Sequence, residues 1–384
     1  MAIVTLQQKP INRVRYSAGG GGSALIDGVA FPFTSTVSST FPNFEFLGGN
    51  GGVIASGSLG TTFTRTNWIR LYTTLSDWKY SNARTLSRAQ SLIYDGVAQE
   101  GQIDSCRGTY QFDVGSSGSV DVYRNRNVYW DIDPSYNGVQ WKTDRWQTRT
   151  DHDGGSGPEV VDGYPPSVYV SSYPARDNFQ LSNFTANSGY VGGVTNNPFN
   201  QAVYDSTQTG INLAFPQNGW YNYQLYMRDS SSLAAADGAH RVKMIAASTG
   251  SVWMQFATNN RTYRSASDVA FATNPFRYVI LQNYFGNGPA TPGGNSFGST
   301  KLYMDDIYIA WSLDNTAQRR VELINASTPG AATKSPVIQP TTKSGTTLTP
   351  TINLGHIGTG QSGLYLVEYD ESNTVITTAG PYTS

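Results

Sequence analysis

The chain has 384 residues, of which only 14% are charged, a formal net charge of −1 and one cysteine. No basic run could track a phosphate backbone, which argues against a nucleic-acid partner. No window approaches the ~18–20 apolar residues of a helical membrane span, and Cys106 alone closes no intramolecular disulfide. Aromatic residues make up 12%, with 24 tyrosines, 40 glycines and 18 prolines. That mixture suits strands joined by turns, whose solvent faces carry Ser, Thr, Asn and Gln rather than the Glu and Lys of surface helices.

In chain order, residues 1–30 come first. Met1 to Pro10 lacks the charged and apolar regions of an export signal. Lys9, Arg13 and Arg15 precede four glycines at 19–22, and no acid appears before Asp27. This reads as a weakly basic arm and a flexible hinge, either a free terminus or an arm that docks on a neighbour. From about 40 to 325, short strands alternate with turns. A hairpin signal closes a strand at 92–96. Further strands are expected at 119–123, 127–132, 220–227, 241–245, 252–257, 277–282 and 301–311. Residues 83–92 hold the best helical pattern, and it is short. The stretch 154–175, rich in Gly, Pro, Ser and Tyr, is a long crossing loop or a linker. These signals group as one large domain over 31–326, a linker rich in Pro, Thr, Ser and Ala at 327–350, and a small β module at 351–384. The strands of that module either stand alone or join a partner's sheet.

The run Trp220-Tyr221-Asn222-Tyr223-Gln224-Leu225-Tyr226-Met227, the turn Asp237-Gly238 and the run His240-Arg241-Val242-Lys243-Met244 resemble a concanavalin-like lectin/glucanase domain. In that superfamily a Trp often opens a strand, and an Asp-Gly turn leads into the strand behind it. Leu302 to Ala310 and Arg320-Val321-Glu322-Leu323 are similar to the closing strands of laminin-G-like and polysaccharide-lyase-like jelly rolls. The resemblance covers 215–325. It implies an all-β chain: a large concanavalin-like jelly-roll sandwich with an N-terminal arm and a small C-terminal β module. It implies a glycan bias but no activity. Strand alternation sets Tyr303, Asp305, Ile307 and Ile309 on one face and Met304, Asp306, Tyr308 and Ala310 on the other. Each face therefore carries one carboxylate. When buried, it either ties down a loop or binds a metal or ligand.

The chemistry-bearing residues are sparse. The Glu-x-Asp-x-x-Glu motif of retaining glucanases is absent, and Glu368-Tyr369-Asp370-Glu371 has the wrong spacing for it. Resemblance to jelly-roll lyases implies a Tyr or His base, for which Tyr284 is available. Gly294-Asn295-Ser296-Phe297-Gly298 matches a nucleophile elbow in form, but it sits in a Gly/Pro loop rather than between strand and helix. Asp131, Asp133 and Asn137, with Asp144 further on, supply oxygens that suit calcium. They are loosely similar to a legume-lectin loop, with a solvated turn as the alternative. No other cofactor is expected. The densest set of aromatics among Arg, Asn, Asp and Gln is Tyr129, Trp130, Tyr136, Trp141 and Trp146, a candidate glycan surface or simply sandwich core. The leading expectation is a non-enzymatic structural or adhesive virion surface protein, a phage-like capsid decoration or fibre subunit. Its expected partners are copies of itself, other virion proteins such as the capsid shell, and host or environmental glycans, with no nucleic acid and no membrane. Its expected place is the virion surface or the extracellular medium. A secreted polysaccharide lyase and a lectin-like binding module are the alternatives.

Overall fold

The computed structural model describes residues 23–49, 52–70, 78–87, 89–95, 106–107, 110–131, 140–147, 167–173, 178–184, 219–233, 235–261, 275–286 and 301–384. The basic stretch 1–22, Asp133, Tyr136, Asn137, residues 154–166 and residues 294–298 lie outside them, as do the side chains of Trp141 and Tyr284.

Two antiparallel sheets face each other. The eight-stranded sheet runs Val252–Arg261, Gly238–Ala246, Trp220–Arg228, Asp121–Asp131, Lys301–Ser312, Ser91–Asp95 and Trp78–Ser81, with Asn43–Leu47 also paired to Lys301–Ser312. The seven-stranded sheet runs Asn178–Phe184, Ser167–Tyr173, Gln140–Gln147, Tyr278–Gly286, Tyr110–Asp113 and Trp68–Arg70, with Cys106–Arg107 also paired to Tyr278–Gly286. Between them lies the main apolar core, including Trp78, Tyr94, Phe112, Trp130, Trp146, Tyr223, Leu225, Val279, Met304 and Ile309. The chain is all-β, as its composition implies. The one α-helix among the described residues is the four-residue turn Val53–Ser56. Residues 83–87 and 89–92 form bends and the start of a strand, not a helix, and Ser91 donates its hydroxyl to the Arg84 carbonyl at 2.6 Å.

The central strand Asp121–Asp131 spans the region that sequence divides into two strands. The division leaves out Arg124-Asn125-Arg126, a charged and amide run without apolar alternation. In the fold, Arg124 and Arg126 point between the sheets and meet Asp144 of the facing sheet. Arg124 donates to Oδ1 at 3.2 Å, and Arg126 donates to Oδ1 and Oδ2 at 2.7 and 2.9 Å. The outward residues Tyr123, Asn125, Asn127 and Tyr129 then keep strict alternation.

The strand Lys301–Ser312 departs from simple alternation. Its pairing with Asp121–Asp131 shifts between Asp305 and Tyr308, and Asp306 has φ +47°. This bulge inserts residues into the strand and moves Ile307 and Ile309 to the core side with Met304, while Tyr308 and Ala310 turn outward. The sequence-based faces therefore hold only as far as Asp305. Gly48 makes the bulge possible, because a Cβ there would sit 2.5 Å from Asp306 Oδ1.

The boundaries expected at 326 and 350 change. Residues 327–350 are not a linker: they hold the strands Val337–Gln339, Thr341–Ser344 and Thr347–Pro350. Arg320–Ile324 does not close the jelly roll either. It pairs with Val337–Gln339 and Ser362–Tyr369, and Val375–Thr383 completes a four-stranded sheet. A three-stranded sheet of Phe33–Thr34, Thr347–Pro350 and Thr341–Ser344 covers it. Their shared core holds Leu25, Phe31, Phe33, Val321, Leu323, Leu348, Leu364 and Leu366. The small module is thus a second sandwich built from both ends of the chain, with Leu25 N–H donating to the Thr383 carbonyl at 2.6 Å. Its Pro- and Thr-rich composition reads as a linker because these strands are only three or four residues long, and two of the three lie at a sheet edge.

This second sandwich packs on the outer face of the eight-stranded sheet. Ile338 and Ala317 join Tyr123, Tyr226, Tyr308 and Ala310 in an interface cluster. Asp121 is a polar hub beneath it, accepting from the Ser312 hydroxyl, from Ala317 N–H at 3.0 Å and from the Tyr226 hydroxyl at 3.2 Å.

Candidate functional site

The outer face of the eight-stranded sheet can be read row by row from the strand register. Arg228, Asp121 and Ser312 form one end, followed by Tyr226, Tyr123 and Ala310. Both rows lie beside the small sandwich. Next come amides: Gln224 donates to Asn222 at 2.8 Å, and Asn222 donates to Asn125 and Asn127 at 2.8 and 3.2 Å. All four amide side chains are buried. A closed amide ladder of this kind satisfies buried polar groups.

Beyond the amides lies an aromatic row. Trp220 and Tyr303 are the two cross-strand partners of Tyr129. Their rings meet the Tyr129 ring edge to face, at 5.8 and 6.2 Å between centroids. Tyr129 and Tyr303 are buried and Trp220 is partly exposed. The Arg84 guanidinium lies 4.4 Å from the Tyr129 ring centre and 6.0 Å from that of Tyr303. Arg84 is anchored by two bonds to Asp131 Oδ2, at 3.1 and 3.0 Å. Asp131 follows Tyr129 on the same face and pairs across strands with Lys301. The site is therefore an aromatic floor with an accessible indole and a rim of Arg84, Asp131 and Lys301. Such a surface can stack on the apolar face of a pyranose while its rim exchanges hydrogen bonds with hydroxyls or carboxylates.

The sequence-derived glycan set divides. Tyr129 belongs to this row. Trp130 and Trp146 do not: they are 1% and 0% exposed and sit in the main core, where Trp146 stacks on Phe276 at 4.1 Å, so no sugar can reach them. Tyr136 and the Trp141 side chain lie outside the described residues. Of the calcium set, Asp131 is engaged by Arg84, while Asp133 and Asn137 are outside the described residues. Asp144, the further oxygen considered, is held by the two core arginines. Among the described residues, no group of three or more His, Cys, Asp or Glu could hold a metal ion. Trp220, Tyr303 and Arg84 were missed from sequence because they join Tyr129 only through cross-strand register. The available signal was an aromatic at the start of each of two outward-facing strands.

Asp305 and Asp306 lie one row inward. Asp305 accepts Leu86 and Ser87 N–H at 3.3 and 2.9 Å through Oδ2, and Asp306 N–H at 2.9 Å through Oδ1. Ser87 donates its hydroxyl to Asp306 at 2.6 Å. The carboxylates thus tie down the loop that carries Arg84. Burial, and then the Asp306 charge, push the Asp305 carboxyl up to about 7. Burial likewise pushes Asp121 up to about 6. A raised carboxyl binds its proton more tightly folded than unfolded. Its stabilising share is complete below the unfolded value of about 4 and is lost as pH rises through the folded one. Asp306→Asn removes the like charge. The difference in melting temperature between variant and wild type is expected to grow in the variant's favour between about pH 5 and pH 8. A difference independent of pH would refute this coupling.

No protein-family model and no curated protein matches the chain. Solved structures do. An alginate lyase of the PL-14 class from Aplysia kurodai is similar at 12% identity over 61% of this chain and 87% of that one, with TM-score 0.40. A mutant of the alginate lyase Aly36B in complex with alginate tetrasaccharide is similar at 13% over 72% and 100%, with TM-score 0.45. An alginate lyase from a Chlorella virus is similar at 8% over 66% and 100%, with TM-score 0.41. The two facing antiparallel sheets and their shared core make this part of the chain an all-β sandwich. Among the described residues no helix is long and apolar enough to cross a membrane.

Proposed function

We propose that this protein is a non-catalytic, carbohydrate-binding surface protein that holds a glycan against the partly exposed Trp220, which the buried Tyr129 and Tyr303 rings support from beneath. The supporting observation is the aromatic row with Arg84 and Asp131 at its rim. The indole offers a flat apolar face, and the fixed guanidinium offers directed donors for sugar oxygens. The finer reading places it on a phage-like particle as a decoration or fibre subunit, bound to its own copies and to the shell. Support for that comes from the sparsely charged, polar β composition and from a second sandwich clamped to the first. Copurification of the chain with assembled particles tests the placement; a chain found only free in the medium would remove it. Trp220→Ala is expected to weaken retention in polysaccharide-containing native gels about five- to tenfold, the loss of one stacking contact worth about 1–1.5 kcal/mol.

A lyase is the second reading, favoured by Gln111 and Tyr278 on neighbouring strands of the seven-stranded sheet, with Arg277 just before the second of these strands. Here, however, Arg277 is held bidentately by Asp113 at 2.6 and 2.5 Å, which occupies the cation that would neutralise a uronate. Release of unsaturated uronate products would make this second reading the correct one.

A further inference from the structure

Inside the small sandwich, three side chains form a closed polar triangle. Lys343 Nζ donates to Glu368 Oε1 at 2.8 Å and to Ser35 Oγ at 3.0 Å, and Ser35 Oγ donates to Glu368 Oε2 at 2.6 Å. The Lys343 and Glu368 side chains are 2% and 1% exposed. The Phe41 ring lies 5.5 Å from Nζ, and Val37 N–H donates to Ser35 Oγ at 3.1 Å. Lys343 comes from the three-stranded sheet and Glu368 from the four-stranded sheet, while Ser35 directly follows the edge strand Phe33–Thr34. The triangle therefore spans both layers of the sandwich and its N-terminal strand.

We propose that Lys343 and Glu368 condense into an intramolecular amide. An ion pair shielded this fully from water carries a desolvation penalty that its Coulombic attraction barely offsets. The neutral amide and a released water carry none. Proton transfer from Nζ through the Ser35 hydroxyl to Oε2 gives a free amine and a carboxylic acid. The Nζ lone pair then attacks Glu368 Cδ, forming the C–N bond. The Ser35 hydroxyl accepts a proton from nitrogen as it passes its own to Oε2. That oxygen leaves with both hydrogens as water, so the lysine ammonium and glutamate carboxylate become one amide plus one water, with no oxidant or cofactor. The product is a covalent cross-brace between the two sheets, and it does not depend on glycan binding.

Mass spectrometry of the intact, folded full-length chain tests this. The expected mass is about 18 Da below that of the sequence, one water lost. Because no Lys or Arg follows Lys343, trypsin should also yield an uncut fragment 335–384 that is light by the same amount. The Lys343→Arg variant, which keeps the charge but lacks the amine, should show its full mass and release 335–343 and 344–384 separately. Water lost at an Asp-Gly step instead would leave Lys343 cleavable. A wild-type chain of full mass that trypsin cuts after Lys343 would overturn the proposal, and this reading needs no variant to fold.

Discussion

Asp144→Ala is expected to lower the unfolding free energy by about 3–5 kcal/mol, the cost of stripping the partner from buried charges. Asp144 is fully buried, and its two arginine partners are each 1% exposed. Arg126 also lies 4.7 Å from the Tyr223 ring, and Arg124 also contacts the Met227 sulfur at 3.1 Å. Neither an aromatic face nor a thioether can replace a carboxylate in neutralising two guanidiniums. Urea denaturation reads the loss through a lower midpoint at unchanged slope. Replacing the three together, as Arg124→Met, Arg126→Leu and Asp144→Leu, is expected to cost less than Asp144→Ala, because the arginines leave with their shared carboxylate. An Asp144→Ala loss below about 1 kcal/mol would mean that the arginines find water or other partners.

Arg320→Ala is expected to cost about 3–5 kcal/mol and to loosen the contact between the two sandwiches. Arg320 donates to Glu322 at 2.7 Å and to the Gln318 carbonyl at 2.8 Å. Its guanidinium lies 4.6 Å from the Tyr123 ring and 4.2 Å from the Tyr369 ring. Tyr123 belongs to the eight-stranded sheet and Tyr369 to the small sandwich, so one side chain joins both. Burial opposes the arginine's charge, yet Glu322 holds its pKa above the ordinary range. Removal leaves the buried Glu322 with the Tyr369 hydroxyl, which donates to it, and with the partial help of the Lys243 charge. The connecting segment carries Leu313, which is 62% exposed. Limited proteolysis should therefore cut there earlier in the variant, ahead of global unfolding. Equal cleavage rates in variant and wild type would show that docking rests on the apolar cluster alone.

Much of the fold was legible from sequence. Trp220–Arg228, Gly238–Ala246, Val252–Arg261 and Lys301–Ser312 all fall where alternation placed strands. The failures share a physical cause: non-local partners overrode local pattern. Arg124 and Arg126 interrupt the apolar alternation until Asp144 arrives from the other sheet. Asp306 breaks alternation because Gly48, more than 250 positions earlier, leaves space for its carboxylate. The stretch 337–350 looks like a linker until residues 25–34 supply the missing strand and core. The site was half legible. Tyr129 and Asp131 stood out within one segment, but Trp220, Tyr303 and Arg84 come from segments whose register sequence alone does not fix. Dense tryptophan misled in the same way, since Trp130 and Trp146 serve the core.

The most direct measurement is calorimetric titration of polysaccharides, alginate among them, into wild type and the Trp220→Ala variant, with the solution followed for unsaturated products. Saturable binding by wild type, lost or strongly weakened in the variant, with the polymer left intact, is the expected result. Equal binding by both proteins, or polymer breakdown, would contradict a passive aromatic surface as the seat of function.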